Sequence, residues 1–169
     1  NLILCSYNDY LKQIEDDIVI LLNNDIRVDR AFLAPLIRRF EEDPATFLAA
    51  PKVLSFDGSR IEAGAAKTGF RFGMFWCESK FPGFERQAEI AGETASCGFG
   101  AFSRAKFLEL GGYDKRYLPG IMEDIDLCYR AKQWGYRLYY EPESVVYHMG
   151  QASFKKAFGS VRIQRLAHR

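Results

Sequence analysis

The pattern of apolar and polar positions alternates between buried strands and one-sided helices. The apolar run from Ile18 to Leu22, bounded by polar residues, predicts a central strand with both faces covered, as in an α/β sheet. Apolar residues at helical spacing predict a short helix over 7–15 and a second helix that begins near Asp29. Asp43-Pro44 ends that second helix, because proline disfavours helical backbone in the residue before it.

The rest of the chain continues this alternation. Strands are predicted over 47–50, 53–56, 136–140 and 144–147, and helices over 104–110, 123–134 and 154–168, with a tight turn at Asp57-Gly58. Residues 61–93 are rich in glycine and aromatic residues and follow no period, so we predict irregular strands and a long loop. The loop either binds sugar faces or lipid, or only packs. One α/β domain over 1–169 accounts for the whole pattern.

Composition narrows the function classes. A net charge of +1 over 169 residues argues against a nucleic-acid partner, which selects for a concentrated basic excess. The four cysteines form no C-x-x-C pair, so we expect reduced thiols rather than a metal knuckle or a disulfide framework. Basic residues gather between Lys155 and Arg169, where we favour a solvated helix face over a surface for anionic lipid or diphosphate.

Two groups of polar residues follow predicted strands. Asn23, Asn24 and Asp25 come after the first strand, where ligands collect in open α/β sheets, and Asp25 offers oxygen to a hard divalent cation. Turn formation alone explains such residues, and for this segment by itself it is the stronger explanation. His148 ends the last predicted strand. A lone histidine is more often structural than a ligand, and its spacing does not decide between the two.

Three carboxylates, Glu123, Asp124 and Asp126, lie at the start of a predicted helix. Acidic residues in a first turn offset the unpaired amides, but close carboxylates also raise the proton affinity of at least one of them. Such a group can accept a proton from a hydroxyl, so both interpretations stand. Gly98 and Gly100 either permit close backbone approach to a bound group or belong to a glycine-rich strand or turn. Their spacing fits neither a dinucleotide fingerprint nor a P-loop.

Taken in order, five segments resemble family 2 glycosyltransferases of the GT-A fold, in the branch that includes bacterial rhamnosyltransferases and other cell-surface polysaccharide enzymes. The segments are 97–104, 110–114, 123–130, 135–137 and 145–148, and residues 17–28 are similar to the family's strand that ends in a DxD-type motif. The ED-x-D-L-x-x-R stretch after Gly-Gly-Tyr-Asp is the most specific part. The resemblance implies a GT-A-like, Rossmann-related mixed sheet flanked by helices.

The resemblance also implies a donor and metal site. Asp25 is similar to the metal-binding last Asp of the DxD motif, Asn23 stands where its first Asp often lies, and Asn24 is the middle position. His148 matches a histidine that completes the metal shell in some relatives. Oxygen-dominated ligation implies Mg²⁺ or Mn²⁺, and a histidine ligand tilts the choice slightly toward Mn²⁺. The implied partner is a nucleoside diphosphate sugar.

The same resemblance assigns the reacting groups. Asp124 matches the catalytic base of the ED motif, and Glu123 and Asp126 would shape and hold that site. The segment Gly98, Phe99 and Gly100 looks like the loop beside donor sugar and acceptor. The implied reaction is a single displacement with inversion onto a hydroxyl of a glycan or lipid-linked acceptor, in cell-surface polysaccharide or glycolipid synthesis. The implied location is the cytoplasm, with peripheral association at the inner face of the membrane as an option.

The chain departs from the family near its start, where the strand ending in Asp-x-x-Ser-x-Asp has no counterpart. We align residues 7–14 with the helix that precedes the DxD strand, which predicts an N-terminally truncated core with half of its nucleotide pocket missing. This departure and the aromatic stretch from Phe70 to Phe84 motivate an alternative, a non-catalytic glycan- or protein-binding module of the same fold. A metal-dependent phosphohydrolase is the third interpretation, less favoured because two-metal sites usually draw on more Asp and His ligands.

Overall fold

The computed structural model describes residues 3–118 and 122–149, with side chains from residue 6 onward. Its helices are α1 (Ile3–Tyr10), α2 (Leu33–Glu42), α3 (Phe84–Gln87), α4 (Arg104–Glu109) and α5 (Glu123–Gln133). Its strands are β1 (Ile18–Leu21), β2 (Ile26–Val28), β3 (Thr46–Ser55), β4 (Ile61–Ala63), β5 (Lys67–Arg71), β6 (Met74–Glu78), β7 (Gly92–Glu93), β8 (Gly100–Ser103) and β9 (Arg137–His148). The helix predicted over 154–168 and the basic C-terminal stretch lie outside the described residues.

Most of the described strands form one mixed sheet. The order is β1-β8-β3-β9-β2, with β4 added beside β3 and β7 beside β9. β3 and β9 are parallel, whereas β8 is antiparallel to β1 and β3, and β2 is antiparallel to β9. Strands β1, β3 and β9 therefore end at the same edge of the sheet, and β8 and β2 begin there. We call this edge the carboxyl edge.

Helices cover both faces of the sheet. On one face, Phe47 and Phe102 pack edge-to-face at 5.6 Å between ring centroids, and Phe107 of α4 packs against Phe102 at 6.3 Å. This layer also receives α1 and α5. On the other face, Leu36 of α2 joins a cluster that contains Ala49. Because successive residues of a strand point to opposite faces, β3 contributes to both layers. The predicted α/β architecture with a mixed sheet and flanking helices is confirmed.

The first predicted strand is β1, and both its faces are covered as expected. Val19 and Leu21 belong to the layer of α1, α4 and α5, while Ile18 and Ile20 pack against the layer of α2. Its predicted central position was wrong. Among the described strands β1 pairs with β8 alone, so it lies at the end of the strand order. An apolar run indicates that both faces of a strand are covered, but it does not indicate how many strands pair with that strand.

Two predicted strand breaks were also wrong. The segments predicted over 47–50 and 53–56 form the single strand β3, and those over 136–140 and 144–147 form the single strand β9. A register shift interrupts their ladder, since Pro51 faces Glu141 while Lys52 already faces Val145. Proline cannot donate to a ladder, and such an irregularity is where a sheet tolerates it.

Two helix boundaries differ from the prediction as well. The first helix, α1, already ends at Tyr10, and the second, α2, begins at Leu33 rather than near Asp29. The Asp29 carboxylate accepts a hydrogen bond from the Ala31 amide at 3.0 Å and holds a turn ahead of the helix. The predicted end of α2 is confirmed at Asp43. None of the described helices is long and apolar enough to cross a membrane.

Residues 61–93 are more regular than predicted. They form β4, the hairpin of β5 and β6, the short helix α3 and β7. The hairpin is anchored by an aromatic cluster in which Phe70 and Phe75 each pack edge-to-face on Tyr129 of α5, at 6.1 and 5.5 Å. Glycine and aromatic residues hide the period of two here because the strands are short and largely exposed.

Candidate active site

Strand pairing brings Asp25 and His148 together at the carboxyl edge. Ile26, the first residue of β2, faces His148, the last residue of β9, and the Met149 amide donates to the Asp25 carbonyl at 3.0 Å. The side chains then approach so that His148 Nε2 lies 3.5 Å from Asp25 Oδ1. Both are largely buried, with 21% and 12% of the side chain exposed. Two residues far apart in the sequence thus present one oxygen and one nitrogen to the same point.

The chemistry of this pair fits a divalent cation. At metal–ligand distances of about 2.1 Å, two ligands of one octahedral ion lie about 3 Å apart when adjacent and about 4 Å apart when opposite. The 3.5 Å between the two atoms falls within that span. Within residues 3–118 and 122–149, no group of three or more His, Cys, Asp or Glu side chains could enclose an ion unaided. Mg²⁺ sites commonly use one or two protein ligands and complete the shell with substrate phosphates and water.

Asn23 and Asn24 lie in the turn between β1 and β2. The Ile26 amide donates to the Asn23 carbonyl at 3.3 Å and closes this turn. Both asparagine side chains are exposed at the carboxyl edge, directly before the largely buried Asp25. Their position leaves them accessible to a ligand that approaches Asp25 from solvent.

Asp124 forms the second half of the candidate site, in the first turn of α5. Its Oδ1 accepts a hydrogen bond from the Ile125 amide at 2.9 Å. Its Oδ2 lies 3.0 Å from where a β-carbon at Gly98 would stand, so the carboxylate rests directly on the backbone of that glycine. Burial, and secondarily the charge of Glu123, raise the pKa of Asp124 to about 6. A carboxylate with that pKa accepts a proton more readily than an ordinary aspartate.

Glu123 is unusual within the described part of the chain. Its Oε2 is buried and has no hydrogen-bond partner there. An uncompensated buried carboxylate oxygen is costly, and in active sites such atoms face ligands. Glu123 therefore both perturbs Asp124 and presents an acceptor oxygen.

The segment before β8 joins the two halves of the site. Phe99 follows Gly98, and its ring lies 6.1 Å from the imidazole of His148. Gly100 has φ of +135°, and a side chain there would strike the Ala49 carbonyl oxygen, so only glycine lets β8 start at this point. The structure thus brings Asp25, His148, Phe99, Gly98 and Asp124 into one continuous row at the carboxyl edge.

Asp126 is engaged differently from its neighbours in the sequence. Its carboxylate binds Arg130 Nε at 2.9 Å, and it accepts a long hydrogen bond of 3.4 Å from the Tyr117 hydroxyl. Arg130 also donates to the Leu110 carbonyl at 2.6 Å and to the Gly112 carbonyl at 2.8 Å. The resemblance implies that Asp126 helps to shape and hold the substrate site around Asp124. In the structure its carboxylate pairs with Arg130, which in turn binds α5 to the Gly-Gly-Tyr-Asp turn.

Asn8 of α1 also binds the Gly-Gly-Tyr-Asp turn. Its Nδ2 donates to the Tyr113 carbonyl at 2.8 Å, and its Oδ1 accepts from the Tyr113 amide at 2.9 Å. We call the contacts of Asn8 and Arg130 with residues 110–113, together with the Asp126–Arg130 pair, the turn clasp. The clasp explains why these two sequence motifs occur together, because one motif holds the other in place and fixes the start of the helix that carries Asp124.

Sequence reasoning missed Glu62, which lies on β4 with its Oε2 3.9 Å from His148 Nδ1. It belongs to the stretch without period, and no local pattern distinguishes it from a surface glutamate. Among the described residues, Cys77, Cys97 and Cys128 are free thiols. Burial raises the pKa of Cys77 to about 11 and that of Cys97 to about 12, so both thiols stay protonated near neutral pH.

Comparison with known proteins identifies the fold. No protein-family model and no curated protein sequence matches the chain. Among solved structures, the crystal structure of GalNAc-T7 with UDP, GalNAc and Mn²⁺ is similar, with a TM-score of 0.64 and 20% sequence identity. The match covers 86% of this chain but only 29% of that one. At this identity the likeness concerns architecture alone. The chain has a GT-A-like glycosyltransferase fold.

Proposed function

We propose that this chain is the catalytic core of a metal-dependent glycosyltransferase that moves a sugar from a nucleoside diphosphate sugar to an acceptor hydroxyl. The observation that carries the proposal is the row at the carboxyl edge, in which Gly98 and Phe99 join the pair of Asp25 and His148 to Asp124. Ligands bind at this edge in open α/β sheets. The order of the sequence motifs supports membership of family 2, in the rhamnosyltransferase-like branch.

In this proposal Asp25 and His148 would hold Mn²⁺ or Mg²⁺. The cation, when bound, supplies positive charge to the departing nucleoside diphosphate. Asn23 and Asn24 flank the donor from the exposed turn, and Glu123 directs to a substrate hydroxyl its Oε2, which has no hydrogen-bond partner among the described residues. The absence of a side chain at Gly98 leaves room for the Asp124 carboxylate, which lies directly against that backbone.

Asp124 is proposed as the general base. With its pKa near 6, it is mostly ionised at neutral pH and is a better proton acceptor than an exposed aspartate. As the acceptor oxygen attacks the anomeric carbon, Asp124 takes the hydroxyl proton, the bond to the diphosphate breaks, and the configuration inverts. The 20% identity of the structural neighbour transfers no stereochemistry, so inversion rests on the presence of this base and is tested separately.

The proposed setting is cell-surface polysaccharide or glycolipid synthesis, with a glycan or lipid-linked acceptor at the cytoplasmic face of a membrane. It rests on the resemblance of the motifs. The chain spans 29% of the neighbouring GalNAc-T7 chain, so the activity of a whole enzyme is proposed here from its core.

Calorimetric titration tests the donor site. Mn²⁺ is titrated into the protein with UDP, GDP or dTDP present, and we expect binding that Asp25→Asn weakens at least tenfold. Asp9→Asn makes the same charge change at an exposed residue and should leave binding unchanged. Transfer from a bound nucleotide sugar is then followed by NMR of the product's anomeric proton. An absence of nucleotide and metal binding in the parent protein contradicts the proposal, and a retained anomeric configuration contradicts the inverting step.

One observation favours a second function, a glycan- or protein-binding module without catalysis. The tip of the β5–β6 hairpin exposes Phe72 by 86% and Met74 by 69%, and Phe72 has φ of +52°. Exposed apolar side chains gathered on one hairpin are typical of binding surfaces. A Phe72→Ser, Met74→Ser variant separates the two functions. A binding module loses glycan or partner binding in this variant, whereas the proposed enzyme keeps metal and nucleotide binding.

A further inference from the structure

A β-bulge places Glu62 beside the candidate metal site. In the pairing of β3 with β4, Val53 faces Ala63 and Leu54 faces Ile61, so Glu62 is the extra residue of the bulge. Bulges redirect side chains and are frequent next to active sites. Here the bulge lies beside the end of β9, where Ser55 of β3 faces His148. The Glu62 side chain is 21% exposed, which is low for a glutamate on a three-residue strand.

Glu62 and Asp25 face opposite nitrogens of one imidazole. Asp25 Oδ1 lies 3.5 Å from His148 Nε2, and Glu62 Oε2 lies 3.9 Å from His148 Nδ1. A neutral imidazole carries one proton, and a metal ligand must keep the coordinating nitrogen free of it. A proton on Nδ1 leaves the lone pair of Nε2 directed to the side of Asp25. The two carboxylates therefore compete for the proton, and the position of the proton decides whether His148 can bind a cation.

We propose that Glu62 is a positioning residue that draws the imidazole proton of His148 to Nδ1 and so prepares Nε2 to bind the cation. The inference rests on the proposed function, which it deepens. Carboxylate–histidine–metal arrangements of this kind fix both the tautomer and the orientation of the ring. The gap of 3.9 Å exceeds a hydrogen bond by about 1 Å, which rotation about the broad terminal torsion of glutamate can close.

Two other roles for Glu62 fit the contacts less well. Its Oε1 binds Arg60 at 3.2 Å, but the Arg60 side chain is 73% exposed, and such surface pairs contribute little. Glu62 also faces the nitrogen opposite Asp25, so it is on the wrong side of the ring to share one ion with Nε2. The remaining role is exerted through His148.

The tautomer can be read without any metal. The chain contains two histidines, so NMR of ¹⁵N-histidine-labelled protein at alkaline pH resolves His148 once His168→Gln has assigned the other signal. In Asp25→Ala, where Glu62 alone faces the ring, we expect the proton on Nδ1. In Glu62→Ala, where Asp25 alone remains, we expect it on Nε2. Glu143→Ala removes an exposed glutamate of β9 and should leave the tautomer of the parent protein unchanged.

Mn²⁺ titration then measures the consequence. Loss of an outer carboxylate typically weakens metal binding about 10- to 100-fold, and we expect that loss in Glu62→Ala but not in Glu143→Ala. A proton that stays on Nε2 in Asp25→Ala overturns the role of Glu62, even if the parent protein binds Mn²⁺ well. Conversely, if the tautomers respond as expected while the parent protein binds no Mn²⁺ with any nucleoside diphosphate, the role of Glu62 stands and the proposed function fails.

Discussion

Asp124→Asn should stabilise the protein at alkaline pH while it abolishes transfer. Asp124 has a pKa of about 6 in the folded protein against 3.8 in the unfolded chain, so its ionised form is disfavoured by folding. Above pH 6 the folded protein bears the full free-energy cost of the ionised carboxylate, and this cost falls as the pH drops. Below the unfolded pKa of 3.8 the carboxyl group is protonated in both states, and the cost is absent. A shift of about two units corresponds to about 3 kcal/mol. Because Asp124 is only partly buried, we expect Asp124→Asn to gain about 1–3 kcal/mol at pH 8.

Urea unfolding of parent and variant at pH 8 and pH 4 measures this gain. The substitution keeps the shape of the side chain and the oxygen that accepts the Ile125 amide, so the difference in unfolding free energy isolates the charge. At pH 4, close to the unfolded pKa of 3.8, the gain should shrink to about one-fifth of its value at pH 8. Transfer should fall by about 10²- to 10⁴-fold, as expected for a general base. Asp126→Asn provides the contrast, because it deprives Arg130 of its carboxylate and should lose stability at pH 8. An Asp124→Asn protein no more stable than the parent at pH 8 refutes the reasoning.

Three further outcomes can be checked on the same protein. Transfer should fall as the pH drops through about 6, and Glu123→Gln should move this limb of the pH–rate profile to lower pH, because it removes a charge that raises the pKa of Asp124. Gly98→Ala should displace the Asp124 carboxylate by a few tenths of an ångström and lower the turnover number about tenfold, whereas Gly92→Ala, whose β-carbon meets nothing, should not. Gly100→Ala should cost more than about 3 kcal/mol in urea unfolding, since it combines left-handed backbone with a clash against β3.

Local sequence patterns predicted the helices and strands that bury one face or both. They did not predict the order of the strands in the sheet or the continuity of the long strands. The apolar run over 18–22 and the helical spacing of apolar residues around Leu36 indicated β1 and α2, because buried positions are apolar and recur with the period of the element. The place of β1 in the strand order, and the continuity of β3 past Pro51, depend on which strands adjoin. No window of a few residues contains that information.

The candidate site shows the same division. Asp25, Asp124 and His148 could be named from motif order, and the structure brings them to one edge through Gly98 and Phe99. Their catalytic and metal-binding roles remain predictions. Glu62 could not be named, because its relevance comes from a bulge that only the pairing of β3 with β4 creates. Asp126 resembles Glu123 and Asp124 in the sequence, and only its hydrogen bonds with Arg130 and Tyr117 in the structure distinguish it from them.

The turn clasp limits which amino-acid substitutions this segment can accept during evolution. Arg130 serves one carboxylate and two main-chain oxygens at once, a task that needs the planar fork of a guanidinium and that lysine, with its single ammonium, cannot perform. Because main-chain oxygens are common to all amino acids, the contact with Arg130 sets no requirement on the side chain at position 110, which is constrained instead by its packing against the core. Gly112 is not, since any side chain there would collide with Asn8. Evolutionary change should therefore be rarer at Arg130 and Gly112 than at positions that contact Arg130 through a main-chain oxygen alone.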